Sequence, residues 1–358
     1  MSAPPQLSEL TTLRLGGPAR RLERAVTEQE LVDAVRAADA AGEPLLVLAG
    51  GSNVVVADAG FDGTVVQVAT RGIERVQMRD GRVWLGVAAG EDWDALVAAC
   101  VADGLAGIEA LSGIPGSVGA TPIQNVGAYG QEVADVVVVV RALDRLSGKV
   151  HALEPEACLF DYRSSVFKRD PGRWVVLRVG FALERSALSE PVRYAELARR
   201  LGIELGARAP LADVREAVLA LRRGKGMVLD PDDPDSVSAG SFFTNPVLRP
   251  DAFAELERRV ADRLGADVRP PAWPADDHSV KTSAAWLIER ADFARGHGNP
   301  HGIAISSKHT LALTNRGSGT TAELVALARE IAGGVRDAFG VELVPEPVFV
   351  GCRWAPPS

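Results

Sequence analysis

The hydrophobic pattern switches between helical and strand periods along the chain. Thr27-Glu28-Gln29-Glu30 has the form of a capping box and opens a helix predicted to run to Gly42, with Pro44 preventing its continuation. The apolar run 45–49 predicts a buried strand, and "GGSN" (50–53), a second short run at 54–56 and a strand at 64–68 follow it. Residues 82–89 predict another strand. Trp93, Leu96, Val97, Cys100 and Val101 then fall at helical spacing until Gly104 closes the helix. The segment "LSGIPGSVGATPIQNVGAYGQE" (111–132) has no period, and loops of this length inside a compact domain are usually functional. Strands at 136–143 and 174–183 complete a second α/β unit. From about residue 209 the pattern becomes helical and charged, with Val214, Ala217, Val218 and Leu221 on one face. A Pro/Asp-rich segment, "LDPDDPDSVSAGS", interrupts it, and helices are predicted at 251–264, 283–291 and 320–339. The last has an apolar stripe of Leu324, Leu327, Ile331, Val335 and Phe339. "LVPEPVFVG" (343–351) predicts a terminal strand whose Glu346 is enclosed by Pro345 and Pro347.

A length of 358 residues is enough for two or three packed units, and 47% apolar with 24% charged residues reads as globular. The formal charge of −8 argues against a large nucleic-acid surface, which needs a basic face; a few local Arg and Lys can still bind an anionic small molecule. Cys100, Cys158 and Cys352 are far apart and form no CxxC, so neither a metal site nor a disulfide framework is expected, and a reducing compartment fits. The first 17 residues lack a signal-peptide core, and the longest aliphatic run, 136–140, is too short to span a bilayer. A cytoplasmic protein without a membrane or nucleic-acid partner, acting as a monomer, is the expectation.

Two loops offer backbone N–H groups free of bulky side chains: "AGGSN" (49–53) and "SGIPGSVGATPIQNVGAYG" (112–130). Small residues let the chain approach a ligand closely, and clustered N–H groups favour a pyrophosphate. The every-third spacing of Gly113, Gly116 and Gly119 breaks the GxGxxG pattern and disfavours a nicotinamide-type dinucleotide fold. Each glycine also reads as a tight turn. Gln124 and Asn125 bring amides suited to the polar edge of a planar heterocycle or to nearby backbone groups. In "SAGSFFTNP" (238–246), Ser241 reads either as a turn before a buried aromatic pair or as a placed hydroxyl.

The motifs "TTLRLGGPA" (11–19), "LAGGSNVVV" (48–56), "GIPGSVGATPIQNVGAYGQE" (113–132), "FDYRSSVFK" (160–168), "RRGKGMVLDPDDPDSVSAGSFFTNPV" (222–247), "KTSAAWLIERADF" (281–293), "ISSKHTLALTNRG" (305–317) and "VPEPVFVG" (344–351) occur in one order over nearly the whole chain. In them the chain resembles the UDP-N-acetylenolpyruvoylglucosamine reductases, the FAD enzymes that make UDP-N-acetylmuramate for bacterial peptidoglycan. The resemblance implies an α/β (α+β) architecture: a vanillyl-alcohol-oxidase-type (PCMH-type) FAD-binding fold of two α/β subdomains, plus a third α+β substrate-binding domain. The expected boundaries are 1–70, joined by the returning segment 343–358, then 71–208, then 209–342. It further implies a noncovalent FAD, NADPH as hydride donor and a nucleotide-sugar substrate. The cofactor residues it implies are Gly50, Gly51, Ser52 and Asn53 in the first loop. In the second they are Gly113, Ile114, Pro115, Gly116, Gly119 and Ala120, followed by Gln124, Asn125, Gly127, Ala128 and Tyr129. All five histidines, at 151, 278, 297, 301 and 309, lie beyond both loops, so neither loop carries a histidine for covalent attachment.

The substrate so implied is an enol ether conjugated to a carboxylate. Its β carbon accepts a hydride only if charge developing toward the carboxylate is stabilised, and Arg163 matches the family's arginine for this. Glu346 matches the glutamate at the reacting carbons, where a protonated carboxyl able to donate a hydrogen bond would suit the enol form. Ser241 matches the proton donor to the α carbon, with Phe242 and Phe243 excluding water. Asn245, Tyr162, Tyr194 and Lys225 match substrate contacts, the last two in the subgroup whose tyrosine loop and lysine reach the diphosphate. Val348 stands where some members carry an arginine. The rival expectations are a flavin oxidase of the same fold acting on a hydroxy acid or sugar, and a non-catalytic nucleotide-sugar-binding protein.

Overall fold

The computed structural model describes residues 4–355 apart from the side chain of Asp276, and the chain divides into two compact units. Among the described residues, one comprises 4–5, 19–51 and 62–224; the other comprises 6–18, 52–61 and 225–355. Of the expected segments 1–70 and 343–358, residues 1–3 and 356–358 lie outside the described residues.

In the first unit the capping box forms as read. Thr27 Oγ1 accepts from Glu30 N–H at 3.1 Å, Glu30 accepts from Thr27 N–H at 3.2 Å, and the helix spans Glu28–Ala40. It packs on a sheet ordered Ala19–Ala25, Phe61–Val68, Leu45–Leu48. The expected buried strand is an edge strand, parallel to its neighbour, and only Leu48 is fully buried; an edge strand has a partner on one side only. A larger antiparallel sheet runs in the order Lys149–Leu153, Val137–Asp144, Trp174–Arg185, Val83–Ala88, Ile73–Gln77. Its core includes the helix Trp93–Ala102, whose Trp93 ring lies 6.0 Å from that of Phe181. Cys100 is core, as read, and burial pushes its thiol up to about 12. Helices Ala195–Leu201 and Leu211–Arg223 add a small cluster around Leu197, Val214 and Val218.

In the second unit the helices Pro250–Leu264, Ala284–Arg290 and Thr321–Phe339 surround a core of Leu256, Val260, Leu287, Ile331 and Phe339. The stripe read on the last helix is buried throughout. A three-stranded antiparallel sheet is ordered Ser238–Ser241, Ala312–Asn315, Ile303–Ile305. The terminal strand is only Val348–Val350 and pairs in parallel with Val54–Val56. It starts after Pro347 because Pro345 and Pro347 have no N–H to give a ladder. Among the described residues, no helix is long and apolar enough to cross a membrane.

Candidate active site

In the first unit the two glycine loops meet. A Cβ on Gly50 would stand 2.7 Å from Gly116 Cα and 3.2 Å from Ser117 N, and a Cβ on Gly119 would stand 2.4 Å from that of Ala89. These glycines therefore permit close backbone approach, beyond making turns. Several N–H groups serve the fold itself: Gly113 donates to Asp94 Oδ1 at 2.6 Å, and Gly119 donates to Ala89 O at 2.8 Å. Asp94 also receives Arg215 at 2.6 Å, so the start of the second loop is tied to the helix Leu211–Arg223. Ser117 Oγ is buried without a hydrogen-bond partner among the described residues. A buried hydroxyl of this kind carries a desolvation cost until something polar meets it. A small-residue cradle with an unsatisfied hydroxyl fits the phosphates of a dinucleotide cofactor.

Further along, Gln124 and Asn125 hold the loop's shape. Asn125 donates to Glu132 Oε2 at 2.7 Å and to Asp161 O at 3.3 Å, and accepts from Ala134 N–H at 3.1 Å. Gln124 Oε1 accepts from Lys168 Nζ at 3.3 Å. The Asn125 bonds to Asp161 O and Ala134 N–H are the backbone-satisfying alternative that loop amides offer, while Gln124 meets a lysine side chain.

Arg163 sits in a tight turn closed by reciprocal bonds between Asp161 and Ser164, with φ 51°. Its guanidinium donates to Gly127 O at 2.7 Å and Asn125 O at 3.5 Å and lies 5.8 Å from the Tyr162 ring centroid. The second glycine loop thus orients the side chain. Tyr129 and Tyr194 meet edge to face at 5.4 Å, which places the candidate diphosphate contact against a candidate cofactor residue.

Arg222 has no counterpart among the residues singled out from the sequence. Burial holds its guanidinium down to about 10, against the pull of Tyr129 and Asp94, and Arg163 lowers it further. Arg215 and Arg222 are seven apart on one helix, hence on the same face, and that spacing was the available signal.

The second unit gathers Ser241, Glu346 and Asn53. Ser238 pairs with Thr314 and Ser241 with Ala312, so Ala239 and Gly240 stand against Leu313 alone and the strand carries a one-residue bulge, with Gly240 at φ 75°. Beyond the bulge the chain runs antiparallel beside 344–346. Thr244 N–H donates to Val344 O at 3.0 Å, and Glu346 N–H donates to Phe242 O at 2.8 Å. Glu346 is thereby bonded to Phe242, the residue after Ser241, although 104 positions separate the bonded pair in sequence. Asn53 Nδ2 donates to Glu346 O at 3.5 Å, and Val348 N–H donates to Asn53 O at 3.0 Å. Phe242 and Phe243 are 1% exposed, edge to face at 5.2 Å, and join Phe349 and Trp354. Asn245 Oδ1 accepts from Ala284 N–H at 3.0 Å, at the start of the helix Ala284–Arg290. Lys225 follows that unit's boundary, half-buried, and Arg163 with its tyrosines belongs to the other unit.

Residues 19–154 match the family described as "FAD binding domain", which with the glycine cradle defines a flavin-binding protein of mixed α/β fold. Residues 232–350 match the family described as "UDP-N-acetylenolpyruvoylglucosamine reductase, C-terminal domain". The chain is 58% identical to the UDP-N-acetylenolpyruvoylglucosamine reductase of Thermobifida fusca over 96% of each chain. It is 59% identical to that of Streptomyces coelicolor over 96% of this chain and 89% of the relative. Among solved structures it is similar to the UDP-N-acetylenolpyruvylglucosamine reductase of Thermus caldophilus, with a TM-score of 0.63 and 25% identity over 97% of both chains. The chain belongs to the UDP-N-acetylenolpyruvoylglucosamine reductase family.

Proposed function

We propose that this protein reduces UDP-N-acetylenolpyruvoylglucosamine to UDP-N-acetylmuramate, a step of peptidoglycan biosynthesis, with NADPH as the electron source and noncovalent FAD as the carrier. The observation that supports the reading is the backbone bond from Glu346 N–H to Phe242 O, which joins Glu346 to the residue that follows Ser241, beside the buried aromatic pair Phe242 and Phe243.

Bound FAD supplies the hydride that the enolpyruvyl β carbon accepts. Arg163, held by loop carbonyls, grips the substrate carboxylate and stabilises the enolate charge. Glu346 stabilises the enol form. The Ser241 hydroxyl gives its proton to the α carbon, and solvent restores it, so one hydride and one proton add across the double bond. The bulge at Gly240 lies directly before Ser241 in the strand. Lys225, Tyr194, Tyr162 and the amide of Asn245 anchor the nucleotide sugar, and Asn245 does so while its carbonyl oxygen caps a helix.

The glycine residues of both loops, with Ser52, Asn53 and Tyr129, line the cofactor. The same reading assigns 1–70 and 71–208 to FAD binding and 209–342 to substrate binding, in a monomeric cytoplasmic enzyme.

The test is an anaerobic absorbance experiment on the purified protein. NADPH should bleach the flavin band, and the enolpyruvyl nucleotide sugar should restore it. A flavin that bleaches and recovers only with oxygen, with the nucleotide sugar inert, would overturn the reading.

A further inference from the structure

The Pro/Asp-rich segment before Ser241 holds a buried ion pair that the reaction as described does not use. Asp235 is 2% exposed, in the short turn Pro234–Ser236. Its carboxylate accepts from Ser307 N–H at 2.9 Å, Ser307 Oγ at 2.5 Å and Arg316 Nη2 at 2.6 Å. Ser307 follows the strand Ile303–Ile305, and Arg316 follows the strand Ala312–Asn315. One carboxylate therefore ties the entry of the Ser241 strand to both strands of the hairpin it joins. The neighbouring pair Lys308–Asp233, at 2.9 Å, repeats the clamp one step away.

Burial drives the Asp235 carboxyl upward, but the Ser307 bonds and the Arg316 charge outweigh it and hold the group below its ordinary range. Buried ion pairs are weak sources of stability, because desolvation consumes most of the attraction, and their best-attested use is to fix a register. A register is at stake here. The bulge interrupts the pairing between Ser238 and Ser241, so the placement of Ser241 depends on how firmly the strand is held at its entry and exit. At the exit the hold is Phe242 N–H to Leu311 O at 2.7 Å. At the entry Asn315 N–H donates to Val237 O at 3.0 Å, beside the Asp235–Arg316 pair.

We propose that the buried Asp235–Arg316 pair, with Ser307, is a positioning device that fixes Ser241 for proton delivery. The inference rests on Ser241 being the proton donor. A misplacement of about 1 Å at a reacting group can slow a step by about 10²-fold.

The test uses the flavin-loaded enzyme in stopped flow, with each half-reaction read separately and flavin content and Tm measured alongside. In Asp235→Asn, reduction by NADPH should proceed as in the parent, while reoxidation by the enolpyruvyl nucleotide sugar slows by about 10²-fold. In a Ser241→Ala background the same change should add no further slowing, since a group acting through Ser241 has nothing left to position. A merely structural aspartate would lower Tm and leave reoxidation intact, or would slow the Ser241→Ala enzyme by its full factor; either result overturns the inference. If Asp235→Asn yields no flavin-loaded protein, Ser307→Ala removes only the hydroxyl bond and keeps the ion pair. It should show the same selective slowing to a smaller extent, and an unaltered reoxidation would again overturn the proposal. Wild-type reoxidation in Ser241→Ala itself would sink the proton-donor reading and this inference with it. A slowed Ser241→Ala with an unaffected Asp235→Asn would sink this inference alone.

Discussion

Gly50→Ala perturbs the proposed cofactor cradle at its tightest point. The added carbon would lie 2.7 Å from Gly116 Cα, 3.0 Å from Gly116 C and 3.2 Å from Ser117 N. Carbon atoms rest about 3.5–4.0 Å apart, so the overlap is about 1 Å and falls on backbone, which has no rotamer to change. Overpacking of this kind costs about 1–3 kcal/mol. Relief requires the two loops to part, so the cost should appear in FAD affinity, a weakening of about 5- to 150-fold at about 1.4 kcal/mol per tenfold. Titration of apoprotein with FAD, followed by flavin fluorescence, reads this directly, with Tm measured with and without FAD. Gly224→Ala is the control: its φ is −59° and the nearest atom to a new Cβ is 3.4 Å away. That variant should bind FAD normally and gain about 0.4–1 kcal/mol through the unfolded chain. If Gly50→Ala bound FAD as tightly as Gly224→Ala, the contact between the loops would not be part of the cofactor site.

Two other predictions concern ionisable groups. Burial raises the Cys100 and Cys158 thiols to about 12, so a thiol reagent at mildly alkaline pH should modify them only after unfolding; rapid labelling of either in native protein would contradict their place in the core. Asp144 is held at about 2, chiefly by hydrogen bonds from Arg173 at 3.0 and 3.2 Å. Because its folded value is depressed, its contribution is present above the unfolded value and is lost as pH falls from about 4 toward about 2. Asp144→Asn should flatten the decline of Tm across that window, and an identical acid limb in both proteins would refute this.

What the sequence discloses is what neighbouring residues decide. The box at Thr27 is a pair of local bonds between positions three apart, and it forms. The stripe on Thr321–Phe339 is likewise local and is buried. The strand Ile73–Gln77 escapes such reading because all five residues are exposed, leaving no alternation to detect. The loop motifs mark Arg163 and Ser241, but the surroundings of each are set by distant chain. Glu346 reaches the Ser241 strand through one backbone bond, and Asn53 reaches Glu346 through its amide. Asp235 lies in a segment whose prolines and aspartates read only as an interruption of the helical pattern, yet it is buried, because Ser307 and Arg316 arrive from a hairpin about 70 to 80 residues later. Asn125 shows the reverse case: an amide matched to the cofactor also carries the loop's own hydrogen bonds.

The central claim is that Ser241 delivers the proton, and the direct measurement is stopped-flow spectroscopy of Ser241→Ala with the half-reactions separated. Flavin reduction by NADPH should be unchanged. Reoxidation by the enolpyruvyl nucleotide sugar should fall by about 10²- to 10⁴-fold, the usual contribution of a placed general acid. Equal slowing of both halves, or no slowing of the second, would contradict the account.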